Sequence, residues 1–273
     1  MKVAVIGGGS IGLSAALAAA QMGMSVCVYD PQGFELEEPS GEMSPRVWAL
    51  GPKATALLHS LGVWREDPRL CPYQKMRVID ATSDGQVRFE DPELGVIVEA
   101  DWVKRRLLDG LHRLPIERIT SPVMRATPEG AVVVSEDQVA QFDLVVLAEG
   151  RAGQTARASG FTQIDGGYRQ TALVATLAAK APHGNEAFQV FTPEGPLALL
   201  PLPDHGQVHR VSLVWSVSVD TAQRLQAETI DALTQRLIHA SEGVRGQLEF
   251  VSEPIWIPLS QHTLRHDALG RCI

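Results

Sequence analysis

The chain opens on an unbroken apolar run, Val3-Ala4-Val5-Ile6, which predicts a strand buried on both faces. Glycines follow at once. Ile11 to Met22 is then rich in Ala and Leu, a helix that Gly23 stops. Ser25 to Tyr29 (SVCVY) is a second, β-branched strand, closed by Asp30. Strand, glycine turn, helix, strand and acid in this order predict a βαβ unit.

Pro31 to Pro45 is rich in Pro, Gly and Glu and reads as loop. Pro52 to Leu61 carries apolar positions at helical spacing and ends at Gly62. Met76 to Ile79 and Val87 to Phe89 alternate as strands around a Ser83-Asp84-Gly85 turn. Trp102 to Leu114 has apolar residues at 103, 107, 108 and 111, an amphipathic helix whose Lys104, Arg105, Arg106 and Arg113 read as a solvated basic face. Ala131 to Ser135 and Leu144 to Leu147 are further strands, the second running into Ala148-Glu149-Gly150.

Beyond about residue 165 the pattern changes to closely spaced strands: Ala172 to Leu177, Ala187 to Phe191, Leu197 to Leu202 and Val208 to Val217. They are joined by turns such as His183-Gly184-Asn185 and Pro203-Asp204-His205-Gly206, where His183 and His205 read as exposed turn residues. Thr221 to Ala240 predicts one amphipathic helix. The fold class expected is α/β (α+β overall): a Rossmann-like βαβ domain interrupted by a mostly antiparallel sheet.

Composition narrows the function classes. At 273 residues with 45% hydrophobic and 21% charged positions, the chain can bury a large core. Its net charge of −8 argues against a nucleic-acid partner. Three cysteines, Cys27, Cys71 and Cys272, lack CxxC spacing, which argues against a disulfide framework or a thiolate metal site and fits a reducing cytoplasm. Lys2 and the apolar start resemble a secretory signal, but Gly7-Gly8-Gly9 and Gly12 would break its helix.

Gly7-Gly8-Gly9-Ser10-Ile11-Gly12 satisfies G-x-G-x-x-G in its required context. Gly7 permits the tight turn, Gly9 lets backbone approach a pyrophosphate, and Gly12 lets helix pack on strand. Ser10 and Ile11 open the helix, whose free N–H groups and positive dipole end suit phosphates. Asp30 is placed to accept ribose hydroxyls, and its charge disfavours a 2′-phosphate. The motif alone does not separate NAD from FAD. The strand series after Gly150, in place of further helix–strand alternation, suits a flavin domain interrupted by a substrate-covering sheet.

Three longer segments carry a more specific signal: VAVIGGGSIGLSAALAAAQMG, SPRVWALGPKATALLHSLGVW and YRQTALVATLAAKAPHGNEAFQVFTPEGPLALLPLP. With them the chain resembles the ubiquinone-biosynthesis hydroxylases, FAD-dependent aromatic monooxygenases of the p-hydroxybenzoate-hydroxylase type. The resemblance implies FAD as cofactor, NAD(P)H as co-substrate, O₂, and a polyprenylated phenol whose ring is hydroxylated. It implies that Arg46 approaches the FAD, and that Glu149-Gly150 stands where the family has a cofactor-facing Asp-Gly. Arg151 to Arg157 departs from the family pattern. A greasy substrate and other quinone-biosynthesis proteins as partners imply peripheral contact with the inner membrane surface.

The resemblance further implies residues 1–70 and 99–165 as a discontinuous FAD-binding domain, and 71–98 with 166–260 as the substrate domain. Residues 261–273 would start the return to the FAD domain, which in the family continues past Ile273 into a Gly-Asp-Ala-Ala-His segment and C-terminal helices. No catalytic base is legible. Two competing readings follow: a cofactor-poor scaffold of a quinone-biosynthesis assembly, suggested by Glu149 and the chain end, and another FAD-dependent oxidoreductase of the same fold.

Overall fold

A computed structural model describes residues 1–36, 41–129, 131–136, 138–150 and 153–273. The first half contains β1 (Lys2–Ile6), α1 (Ser10–Gln21), β2 (Ser25–Tyr29), β3 (Val47–Leu50), α2 (Pro52–Ser60), β4 (Cys71–Asp80), β5 (Gln86–Glu99), α3 (Ala100–Arg113) and β6 (Glu117–Ile119). Then come β7 (Val123–Thr127), β8 (Val132–Ser135), β9 (Val139–Gln141), β10 (Leu144–Leu147), α4 (Gln154–Ala158) and β11 (Gln163–Asp165). The last part holds β12 (Gln170–Ala179), β13 (Glu186–Thr192), β14 (Gly195–His205), β15 (Val208–Ser218), α5 (Val219–Gln226), α6 (Ile230–Ala240), β16 (Leu248–Phe250), β17 (Ile255–Pro258) and β18 (His262–Leu264).

A parallel sheet in the order β10-β1-β2-β6 forms the first layer. The unbroken apolar run of β1 is buried on both faces, as its pattern requires. Val3 and Val5 meet Leu13 and Leu17 of α1 and Leu107 and Leu111 of α3. Ala4 and Ile6 face Val133, Phe142 and Phe161 on the other side, beneath the small antiparallel sheet β7-β8-β9. At the outer edge of β10 the chain end joins in: Val145 N–H donates to Arg271 O (2.9 Å) and Leu147 N–H to Ile273 O (2.7 Å).

The second layer is a nine-stranded sheet, ordered β16-β12-β15-β14-β13-β4-β5-β3, with β17 also on β12. It is antiparallel except where β13 runs parallel to β4. β3 lies in this sheet, paired with β5, although its sequence position groups it with the βαβ unit. One face buries Leu173, Leu177, Phe188, Leu197 and Trp215 under α5 and α6. The opposite face gathers Cys71, Tyr73, Ile97, Ala187 and Leu202 around Met43 of the loop that follows β2.

Two expectations are corrected here. The stretch Thr221 to Ala240 is two helices rather than one. Ser218 caps α5 by accepting from the Thr221 amide (3.1 Å), and Thr229 starts α6 by accepting from the Ala232 amide (3.3 Å). A second N-cap within an amphipathic stretch offers the backbone a fresh start, and the chain takes it. Arg106 is buried rather than solvated, paired with Asp109 at 2.9 Å and lying over the Trp102 ring.

Candidate cofactor site

The glycine turn sits at the C-terminal end of the parallel sheet. Gly7 has φ +108°, a conformation side chains rarely adopt, and a Cβ there would collide with the Ala148 carbonyl at the end of β10. A Cβ on Gly12 would collide with the Gly7 carbonyl oxygen, so α1 crosses the turn at a distance only glycine permits. Gly9 is different. It precedes α1 with ordinary φ −75° and ψ 176°, and a Cβ there would meet nothing within 4 Å. The protein's own atoms demand Gly7 and Gly12 but leave Gly9 open.

No side chain caps α1, and no acid lies in its first turn. The amides of Ser10, Ile11 and Gly12 therefore stand at the positive end of a twelve-residue helix without an intrahelical acceptor, and the Ile11 side chain is 77% exposed. Donors, dipole and an open Gly9 are the chemistry that an anionic diphosphate uses.

Asp30 closes β2 and is 8% exposed. Its Oδ2 accepts the Gly8 amide at 2.8 Å and its Oδ1 accepts the Gln32 amide at 2.9 Å. Each oxygen keeps a lone pair for a hydroxyl donor. Gly8 is a site residue that motif reading passed over: a Cβ there would press on the Asp30 carboxylate, so the second glycine of the triplet allows this contact.

Glu149 and Gly150 leave β10 beside the glycine turn, where the Ala148 amide donates to Ile6 O at 2.7 Å. The Glu149 carboxylate turns to α4: Oε1 accepts from Thr155 Oγ1 (2.7 Å) and N (3.3 Å), and Oε2 from the Ala156 amide (3.2 Å). Gly150 has φ +69° and open space where a Cβ would be. Arg151 and Ala152 lie outside the described residues. A cleft of about 150 Å³ opens here, lined by Glu149, Gly150, Gly153, Phe161 and His262 among others.

Gly7 to Gly12, Asp30 and Glu149-Gly150 thus converge at one end of the sheet. Arg46 makes no bond to this turn. Its carbonyl accepts the Ala100 amide at the start of α3 (3.1 Å), and its exposed guanidinium has no hydrogen bond or ion pair to a described residue. A larger cleft of about 1160 Å³ lies beside it, lined by Phe34, Met43 and Pro45 of the loop, by Arg65 and Arg69, and by Trp102 and Arg105 of α3.

Two residues that sequence reasoning missed organise this cleft. Glu99, buried at the end of β5, pairs with Arg69 through Nε at 2.6 Å and Nη2 at 2.8 Å. No local motif marks them, since they meet only through the fold. His183 is also corrected. Its side chain is only 10% exposed, its Nε2 lies 3.0 Å from Leu202 O, and burial pushes its pKa down. Among the described residues no cluster of His, Cys, Asp or Glu could hold a metal, and no helix is long and apolar enough to cross a membrane.

This geometry meets a consistent set of similar proteins. Residues 2–72 match the family model described as FAD dependent oxidoreductase. The fold is that of the flavin oxygenases. With 2-methyl-3-hydroxypyridine-5-carboxylic acid oxygenase the TM-score is 0.73 at 15% identity, covering 99% of this chain and 73% of that one. With Klebsiella pneumoniae HpxO complexed with FAD it is 0.68 at 20% identity, covering 100% and 72%.

By sequence, the chain is 31% identical over 235 residues to the ubiquinone hydroxylase UbiL of Rhodospirillum rubrum, covering 82% of this chain and 54% of that protein. It is 31% identical over 252 residues to the human mitochondrial ubiquinone biosynthesis monooxygenase COQ6, covering 82% and 52%. It is 27% identical over 239 residues to Escherichia coli 3-demethoxyubiquinol 3-hydroxylase, covering 82% and 59%. The chain is a relative of the ubiquinone-biosynthesis hydroxylases, and it spans about half the length of these curated relatives.

Proposed function

We propose that this chain binds FAD and forms the cofactor-and-sheet portion of a monooxygenase that hydroxylates the aromatic ring of a polyprenylated phenol in ubiquinone biosynthesis, with NAD(P)H and O₂ as co-substrates. The observation that carries the reading is Gly9: the protein has no steric need for glycine there, while a bound pyrophosphate does. Gly7 and Gly12 shape the turn, and Ser10, Ile11 and Gly12 present amides to the phosphates. Asp30, oriented by Gly8 and Gln32, accepts the adenosine ribose hydroxyls. Arg46 offers a guanidinium to phosphate or flavin oxygens, a planar donor that lysine would not replace. Gly150 brings backbone close to the cofactor.

When bound, the flavin supplies electron transfer from the nicotinamide and oxygen activation; the protein supplies orientation and a water-poor pocket. The chain acts in the cytoplasm, touching the membrane surface where its substrate resides. Purified protein should bind FAD and turn yellow, and the monooxygenase of which it is a portion should oxidise NAD(P)H with O₂ consumption and hydroxylate a prenylated phenol. NAD(P)H oxidation coupled to no hydroxylated product would replace the monooxygenase reading with a dehydrogenase one.

One observation favours a second reading. Three hydrogen bonds from α4 turn the Glu149 carboxylate away from the glycine turn, and Oε1 already accepts two of them, which leaves it less acceptor capacity for a cofactor than Asp30 has. This suits a cofactor-poor scaffold, which predicts a colourless protein with no saturable FAD binding.

A further inference from the structure

Residues 41 to 46 carry Arg46 from the loop after β2 to the start of β3. No helix or strand stabilises them, yet their backbone is held at three points. The Ser44 amide donates to Glu99 Oε1 at 2.6 Å, the Glu42 carbonyl accepts from Arg69 Nη2 at 2.8 Å, and the Arg46 carbonyl accepts the Ala100 amide at 3.1 Å. The first two points are the two partners of a single ion pair. Glu99 immediately precedes α3, whose first amide provides the third.

The pair itself is anchored from behind. Asp67 Oδ1 accepts the Arg69 amide at 2.9 Å, and its Oδ2 accepts the Trp102 indole N–H at 2.9 Å. The backbone of Arg69 is therefore tied to the first turn of α3 before its side chain reaches Glu99. With Glu99 buried, the bidentate geometry is fixed at both ends, and a fork of this kind defines direction as well as attraction.

We propose that Arg69 and Glu99 are positioning residues for the cofactor: a clasp that holds residues 41–46 so that Arg46 is presented toward the flavin nucleotide. This rests on the reading of Arg46 as a cofactor contact. Neither Arg69 nor Glu99 has to touch the ligand. Their role is to remove the conformational freedom that Arg46 would otherwise lose on binding, and preorganisation of this kind appears as affinity.

Two measurements test the clasp. The first needs no cofactor. Trypsin should cut slowly after Arg46 in the wild-type protein, and about tenfold faster in Arg69→Met, as an unclasped loop opens more often. Cleavage after Arg88, in the exposed β4–β5 hairpin, serves as reference and should not change. Arg69→Lys, which keeps a charge for Glu99 but cannot span to the Glu42 carbonyl, should fall between them and covers a failure of the methionine variant to fold.

The second measurement is FAD affinity by flavin fluorescence in wild type, Arg46→Ala, Arg69→Met and the double variant. Arg69→Met should weaken binding roughly fivefold or more in the wild-type background and not further in the Arg46→Ala background. Unchanged cleavage after Arg46 in both Arg69 variants overturns the clasp. So do multiplicative losses of affinity in the double variant, which would show Arg69 acting independently of Arg46. Wild-type affinity in Arg46→Ala overturns the cofactor role of Arg46, and with it the proposal's purpose, while the proteolysis still decides whether the clasp exists.

Discussion

The Asp30 carboxylate accepts the Gly8 amide at 2.8 Å, tying the end of β2 to the middle of the glycine turn that follows β1. The two strands are adjacent and parallel, and the chain returns to this point twenty-two positions after Gly8, by way of α1 and β2. A ligand lying across the strand ends meets a helix terminus and an acid whose relative positions are already set.

Asp30→Ala should therefore weaken FAD binding by about 1–3 kcal/mol, the range for a charge-assisted hydrogen bond. Fluorescence titration of apoprotein reads it. An unchanged dissociation constant would remove Asp30 from the site and leave it a structural tie alone.

The glycine turn predicts opposite fates for two similar substitutions. Gly12→Val would force side-chain atoms into the Gly7 carbonyl and should prevent native folding, seen as loss of a cooperative thermal transition. Gly9→Val points into open space and should keep a native circular dichroism spectrum. A stable, cooperative Gly12→Val protein would mean that the close crossing of α1 over the turn is not required.

His183 makes stability pH-dependent. Burial lowers its pKa from 6.5, partly offset by Asp204. The folded protein therefore holds it neutral, while the unfolded chain takes up a proton below about pH 6.5. Its contribution is complete above that value and is lost as pH falls toward the depressed folded value. Urea midpoints from pH 8 to pH 5 should decline below pH 6.5. His183→Gln, which can still bond the Leu202 carbonyl, should flatten that decline; an identical slope would assign it to other groups.

The thiols should be silent in the folded state. Cys27 and Cys71 are buried and pushed up to about 12, chiefly by loss of solvation, and Cys272 is fully buried and raised as well. A disulfide reagent at pH 8 should label none of them in native protein and all three in denaturant. Rapid native labelling of one would show that its part of the core opens easily.

Much of this architecture is legible from local pattern, and the exceptions have physical causes. β1, α1 and β2 declare themselves because a doubly buried strand must be apolar throughout and a phosphate turn must be glycine-rich. β12 to β15 declare themselves by dense β-branched and apolar runs. β3 and β6 do not: Val47–Leu50 and Glu117–Ile119 are too short for a period to show, and only their partners β5 and β2 make them strands. The gap between α5 and α6 hid because the apolar stripe continues across it. Gly7, Gly9 and Gly12 lie within one hexapeptide, with Asp30 at the end of the next strand as the βαβ pattern requires, whereas Arg69 and Glu99 are thirty residues apart and meet through tertiary packing. Arg106 misled because a charged residue on a helix is normally solvated, and here Asp109 and Trp102 shelter it.

Titration of the purified chain with FAD, beside Gly9→Val, tests the central claim most directly. The account predicts saturable binding of one FAD per chain in the wild type, and loss of that binding in a variant that melts like the wild type. Absence of saturable binding by the wild type, or equal binding by the valine variant, would contradict it.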